Sequence, residues 1–484
     1  MILKRFKFSV IGNVLRAGIT LLTSLFLANV LGPQEFGRLS FIIASFLAVA
    51  QIMDMGTSNA LITFLSKDKN FKDHYRIYFI WLFLQLVIGI FIILILLPKD
   101  YLDLIWQGNS KLTLILGFIA ILFQQNVWNS VARICESNKE TKKLQIANVS
   151  MATLHFLLLL AFYLLNFLSV ELVLSLISLE ILIISIFLLR KIEYLIVPGK
   201  YTLSEFIENY KSYCLPLIPF TIISVICTFA DSWIITNYSG YEQQAFFGVA
   251  MQLSVVSLIA AKSIINIAWN EFSELSYRND KKKLEELYNN SIFYLYSGSL
   301  LISSLLLPWS KEIVSILLGS EYISSYLILS VFLLYPIDQV RGQITGTYLL
   351  AIEDTKATSI FGIAGGLLNL VFAFIVAGPG LWIFTNLDLG ALGIALKLVI
   401  LQFIFVNITM IYISFKYRIK LKLSFQLLLP ISIIAALALK QVLLFIMPSY
   451  IAIVVYIPIF ILFFYLIFSF FTEDKVNIKK VIKL

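Results

Sequence analysis

The sequence predicts an all-α integral membrane protein of about 14 transmembrane helices, built as two parallel six-helix bundles plus two additional C-terminal helices. Three observations predict it. Charge is thin along the whole chain: of 484 residues, 60% are hydrophobic and 13% charged, against roughly 45–50% and about 25% in a soluble chain. Apolar runs of about twenty residues, enough to cross a bilayer, follow one another with short polar breaks. A polar hinge near the N-terminus, "NVLGPQEFGRLSF" (29–41), returns two hundred residues on as "NYSGYEQQAFFGVAM" (237–251).

In chain order, the predicted spans are 9–30, 39–65, 76–97, 113–134, 145–166, 169–189, 215–237, 245–269, 290–308, 325–350, 358–378, 390–414, 424–446 and 450–471. The runs are continuous, without the alternation of an outer-membrane barrel. "MILKRFK" leads into the first run with no small-residue cleavage site, so that run is expected to stay as a helix. Basic residues test the count, because cytoplasmic loops carry an excess of Lys and Arg. With a cytoplasmic N-terminus, 27 of the 37 Lys and Arg fall in inside segments; Arg38, Lys99, Lys111 and Lys311 fall outside, and six lie within or at the edge of spans. Both termini are therefore expected in the cytoplasm. The outside loops are short, the longest near 98–112, which leaves no room for an extracytoplasmic domain. The inside links 190–214 and 270–289 carry amphipathic patterns that suit helices at the inner membrane surface; a solvated charged linker fits the second equally well. The expected division is residues 1–190, a cytoplasmic amphipathic linker 191–214, residues 215–414, and a pair of extra helices with a tail, 415–484. Cys135, Cys214 and Cys227 are scattered and suggest neither disulfide nor metal.

Aligning the two hinges on Asn29 and Asn237 brings two polar stripes together: Asn13, Arg16, Thr20 and Ser24 in the first span, and Thr221, Ser224, Thr228 and Asp231 or Ser232 in the seventh. Counting on from Phe36-Gly37 and Phe247-Gly248, Gln51 meets Lys262 and Asn59 meets Asn270. A third correspondence pairs "QQNVWNSVARICESNKETKK" with "DQVRGQITGTYLLAIEDTKA". At one offset Gln125 matches Gln339, Glu140-Thr141-Lys142 matches Asp354-Thr355-Lys356, and His155 falls opposite Asn369. Spans 1–6 and 7–12 are thus two copies of one unit; six is even, so the copies are parallel. Gly32 and Pro33 cannot continue a helix, so the chain is expected to turn there. Gly37 is expected to let the second helix pack closely on a neighbour.

Ionisable residues inside spans need a reason, because a cation at the bilayer centre costs about 2.5–3.5 kcal/mol on insertion scales. Arg16, Lys262, Arg341 and Lys397 are the candidate cavity cations; together they would favour an anionic passenger, at roughly 4 kcal/mol per close phosphate contact before desolvation. Arg133 lies near enough to the inner surface to snorkel, and for Lys397 both readings stand. Asp338 equally suits a structural pair with Arg341 at i, i+3. Asp54, Asp231, Glu180 and Asp338 are candidate sites for a coupling proton or sodium, with helix packing as the alternative for Asp231 and Glu180. His155 is read as an interhelical hydrogen-bond donor. Asn13, Thr20, Gln51, Asn266 and Gln339 are candidate polar cavity residues. The sequence carries no Walker-type loop, so ATP is not the direct driver; it carries no Ser/His/Asp or metal-ligand cluster, and its basic residues are explained by topology rather than by nucleic acid. No cofactor is expected beyond an ion gradient.

The hinge "ANVLGPQEFGRLSF" after a polar first helix, with "ADSWIITNYSG" (230–240) and "GALGIAL" (390–396), resembles the polysaccharide transporter family. That family includes the O-antigen (Wzx-type) flippases within the multidrug/oligosaccharidyl-lipid/polysaccharide exporter (MOP) superfamily. The resemblance covers nearly the whole chain. It implies two six-helix bundles around a central cavity, alternating access without ATP hydrolysis, and a place in the bacterial inner membrane. The implied cargo is undecaprenyl-diphosphate-linked oligosaccharide of O-antigen or capsule type; a repeat-unit polymerase and a chain-length regulator are implied partners. A cation-coupled multidrug antiporter and a lipid II flippase of the same superfamily are the alternatives. A membrane enzyme, such as a polymerase, is disfavoured by the short outside loops.

Overall fold

The computed structural model describes residues 2–61, 74–138, 140–192, 203–215, 218–258, 271–278, 280–379, 387–421 and 424–471, with positions 265 and 268. Among them there are helices and no strands. The first part of the chain forms α1 (Ile2–Asp54), α2 (His74–Phe91), α3 (Lys99–Trp106), α4 (Lys111–Leu122), α5 (Trp128–Ser137), α6 (Thr141–Leu164), α7 (Val170–Ile192), α8 (Leu203–Cys214) and α9 (Ile218–Ser254). There follow α10 (Lys281–Leu306), α11 (Ser310–Leu318), α12 (Ser325–Phe332), α13 (Tyr335–Ala351), α14 (Thr355–Val376), α15 (Gly390–Tyr417), α16 (Leu428–Ile446) and α17 (Ser449–Phe471).

Among the described residues, 10 helical stretches are long and apolar enough to cross a membrane. The first, Ile11–Asp54, has 44 residues, about 66 Å at 1.5 Å per residue and twice a hydrocarbon core. One residue divides it. Gly32 leaves the helical region at φ 70°, ψ 171°, and helix resumes at Pro33. Pro suits that first position, where its missing N–H costs nothing. Gly240 does the same in α9, at φ 88°, ψ 172°. The two glycines are paired by the alignment on Asn29 and Asn237, so both hinges share sequence register and backbone conformation. The predicted span 245–269 falls partly outside the described residues, as do 62–73.

The third correspondence also has matching backbone. In the α5–α6 connection the Asn138, Glu140 and Leu144 amides donate to the carbonyls of Ile134, Cys135 and Glu140 at 3.2, 2.8 and 3.1 Å. In the α13–α14 connection those of Ile352, Asp354 and Thr358 donate to Tyr348, Leu349 and Asp354 at 3.1, 2.8 and 3.3 Å. Donor for donor these are the residues paired by sequence, and the helices that follow begin at the paired Thr141 and Thr355.

The chain divides into two compact units. Unit 1 is Met1–Val249 with Gly366–Ile394; unit 2 is Ala250–Gly365 with Ala395–Leu484. In unit 1, Phe206, Tyr210 and Cys214 put the apolar face of α8 into a core with Tyr78, Trp128, Val131 and Leu188, Phe206 and Tyr210 stacking at 4.1 Å. The helix expected in the linker is therefore there, but its apolar face covers protein rather than lipid. In unit 2, Phe272, Tyr288 and Tyr348 form the centre of a larger core that takes in Tyr456, Phe460 and Phe464 of α17. The three cysteines are buried.

Candidate functional site

The first polar stripe lies on α1. Asn13, Arg16 and Thr20 are exposed, and Arg16 pairs with no carboxylate among the described residues. Ser224 and Thr228 on α9 are exposed as well, with Asp231 buried one turn further. Gln51 is exposed. Lys262 and Asn266 lie outside the described residues.

Asp54 ends α1. Met55 and Gly56 follow with φ of 44° and 85°. The Asp54 carboxylate accepts from the Ser58 amide at 3.0 Å, the Ser58 hydroxyl at 3.0 Å, the Thr57 hydroxyl at 3.1 Å and the Gly56 amide at 3.2 Å. It caps the helical turn that follows, as helix-starting aspartates do. The break frees carbonyls of α1, and the Met53 carbonyl accepts from Gln85 Nε2 at 2.8 Å. Gln85 in turn accepts from Asn126 Nδ2 at 3.1 Å. Asn126 sits in the π-turn Phe123–Val127, whose wider helical step is a recurrent device for aiming a side chain.

Glu180 is buried on α7, and its two oxygens lie 3.2 and 3.0 Å from Nδ1 of His155 on α6. His155 is thus the interhelical partner the sequence suggested, with Glu180 as its acceptor. Lys397 is buried on α15 and Gln339 partly buried on α13. Of the two readings open for Arg341, the geometry shows the ion pair. The side chain is 1% exposed, and Nε donates to Asp338 Oδ1 at 2.9 Å, with Nη2 on the same oxygen. Nη1 donates to Asn407 Oδ1 at 3.5 Å, which also accepts from Gln426 Nε2 at 3.0 Å. The Tyr296 and Phe403 rings lie 5.4 and 5.8 Å from the guanidinium. A buried charge with its counter-charge and aromatic faces is already compensated. Among the described candidates, Arg16 remains as the exposed cation.

Sequence reasoning missed other polar clusters. Lys440 on α16 donates to the Pro308 carbonyl at 2.8 Å and to Glu312 at 2.6 Å, and lies 4.5 Å over the Trp309 ring. Asp354 accepts from Lys416, Tyr417 and Tyr412 at 2.8, 2.7 and 2.9 Å. Partners 58 to 132 residues apart have no spacing signature. In unit 2 a cavity of about 180 Å³ lies among α13, α14 and α15, lined by Gly346, Thr345, Thr358, Phe361, Gln402 and Phe405 among others. At about 30 Å³ of liquid volume per water, it suits a few waters and is far smaller than an oligosaccharide.

The chain matches the family described as polysaccharide biosynthesis protein over residues 2–269, a stretch that includes both hinges and both polar stripes. The chain belongs to that family. No curated protein sequence matches it. Solved structures share its fold at low identity. One titled lipid II flippase MurJ, inward closed conformation, has TM-score 0.71 and 16% identity, covering 97% of this chain and 98% of that one. An inward-facing multidrug resistance MATE family transporter of the MOP superfamily has TM-score 0.63 and 17% identity, covering 82% and 94%. A MOP superfamily transporter from Pyrococcus furiosus, whose title describes reverse polarity of the binding pocket, has TM-score 0.56 and 15% identity, covering 85% and 96%. The expected MOP-type fold is thus the fold observed.

Proposed function

We propose that this polysaccharide biosynthesis family member is a flippase. It carries undecaprenyl-diphosphate-linked oligosaccharide repeat units, of O-antigen or capsule type, across the bacterial inner membrane by alternating access. The single observation that carries the reading is the family match, which spans both hinges and the polar first helix; the fold shared with superfamily transporters supports it. Arg16 supports an anionic cargo, because an exposed guanidinium on a polar helix face retains its full donor set for a diphosphate. Glu180 with His155, and Asp231, are the carboxylates proposed to take a coupling proton or sodium. Asp54 is the weaker candidate, since its oxygens already accept four hydrogen bonds.

The test is Arg16→Ala in cells that depend on this chain. Lipid-linked repeat units should accumulate on the cytoplasmic face at unchanged protein level. Normal export at that level would remove Arg16 from the pathway. A lipid II flippase is the second reading, favoured by near-complete mutual coverage with the structure bearing that title. Complementation of a strain lacking lipid II export separates the two.

A further inference from the structure

Unit 1 contains both hinges, and the connection between α3 and α4 joins them. Gln107 and Gly108 adopt left-handed backbone, with φ of 49° and 72°, and the resulting turn sets two amide side chains against both hinges. Gln107 Nε2 donates to the Thr236 carbonyl at 2.6 Å, in the last turn of helix before the break at Gly240, where carbonyls need outside partners. Asn109 faces both ways. Its Oδ1 accepts from Arg38 Nε at 2.6 Å, and its Nδ2 donates to the Tyr241 hydroxyl at 2.8 Å and the Trp106 carbonyl at 2.6 Å. Arg38 lies six residues past the first hinge glycine, Gly32, and Tyr241 directly follows the second, Gly240. The other Arg38 nitrogens donate to Glu35 at 3.1 Å, Thr113 at 3.1 Å and Glu171 at 2.9 Å. Beneath this strap the backbones touch: a β-carbon on Gly37 would lie 1.8 Å from the Tyr241 carbonyl oxygen.

We propose that the Gln107–Asn109 turn is a latch that holds the first hinge against the second and releases when the chain changes access state. The flippase reading supplies only what the release is for. The composition of the seam suits a contact that must open. Its charged partners are reachable by water, Arg38 being 23%, Glu171 34% and Glu35 48% exposed, while Thr113 and Thr236 are buried beneath them. Each hydrogen bond broken on opening is exchanged for one to water, at a net cost of about 0.5–1.5 kcal/mol, or about 1.5–3 where a charge takes part. An apolar seam of equal area would offer no such exchange. Gly37 lets the backbones meet directly, and the Phe41 and Tyr241 rings, 6.2 Å apart, are an aromatic contact that opening must also part.

The test needs no cargo. Cys135, Cys214 and Cys227 are replaced by alanine in the full chain, and Ser40→Cys is combined with Gly248→Cys. A β-carbon on Gly248 lies 3.9 Å from that of Ser40, within the roughly 3.5–4.5 Å a disulfide requires. In nanodiscs, mild oxidation should cross-link this pair nearly completely. In the single Ser40→Cys protein, Tyr241→Phe, which removes only the hydroxyl held by Asn109, should raise the rate of maleimide labelling severalfold. Gln107→Ala should do the same from the other end of the turn. Failure of the pair to cross-link overturns the latch, as does unchanged labelling in both variants. A chain that latches and unlatches as stated yet moves no lipid-linked sugar would overturn the flippase reading alone.

Discussion

Arg341 and Asp338 stand at i, i+3 on α13, a spacing visible in the sequence, and the structure closes them into a buried pair. Truncating one member leaves the other charge buried and unpaired, which costs about 3–5 kcal/mol. Arg341→Met should therefore lower thermal stability in detergent strongly, and adding Asp338→Leu should recover most of it. An export defect in Arg341→Met alone would report folding rather than cargo contact. Asp354 offers a pH test. Burial pushes its carboxyl up, but the hydrogen bonds from Lys416, Tyr417 and Tyr412 outweigh it and hold the group down at about 2. An aspartate lowered in the fold contributes stability above its unfolded value of about 3.9 and loses it as pH falls toward the folded value. The tie between the start of α14 and the end of α15 should thus loosen between about pH 4 and pH 2, read as amide exchange at Thr358. Asp354→Asn should remove that pH dependence. Neither the three partners of Asp354 nor the Glu312 partner of Lys440 was legible, because a contact across 58 or 128 residues depends on which helices pack together.

At the scale of the element, glycines separate close approach from mere presence. Gly37 meets the Tyr241 backbone, whereas a β-carbon on Gly18 meets nothing within 4 Å. Gly37→Ala should destabilise unit 1 by about 1–3 kcal/mol, since backbone must move to admit the methyl. Gly18→Ala should be neutral or stabilise by up to about 1 kcal/mol through helix propensity. Denaturation of the two variants side by side checks both. The hinges were legible because Gly-Pro and Phe-Gly punctuate long apolar runs, and the repeat was legible because it preserves polar residues at fixed offsets. The break after Asp54 was only partly legible. Asp54, Gly56, Thr57, Ser58 and Asn59 are turn-forming residues inside the predicted span 39–65, but left-handed backbone at Met55, a residue that seldom adopts it, has no sign in composition. The amphipathicity of α8 was legible but not the surface it covers, since Phe206, Tyr210 and Cys214 suit a lipid boundary as well as a protein core.

At the scale of the whole molecule, low charge and long apolar runs determine the class, and the helices follow. The expected asymmetry, 27 basic residues in segments predicted inside against four predicted outside, makes orientation testable. Reporter fusions at either terminus should be active only in the cytoplasmic form; an externally active C-terminal fusion would require an odd number of spans. The passenger was the least legible property. Of the four cations read as cavity groups, Arg341 is compensated by Asp338, Lys397 is buried and Lys262 lies outside the described residues, so Arg16 is the one on which the proposed cargo contact is tested. The decisive measurement reconstitutes the purified chain in liposomes with a labelled polyprenyl-diphosphate-linked oligosaccharide. It follows the fraction that a membrane-impermeant glycan-cleaving reagent can reach. Liposomes containing the chain should expose the inner-leaflet pool over time while protein-free liposomes keep it protected, and Arg16→Ala should slow the exposure. A pool that stays equally protected with and without folded protein, under proton and sodium gradients of either direction, would contradict the flippase reading.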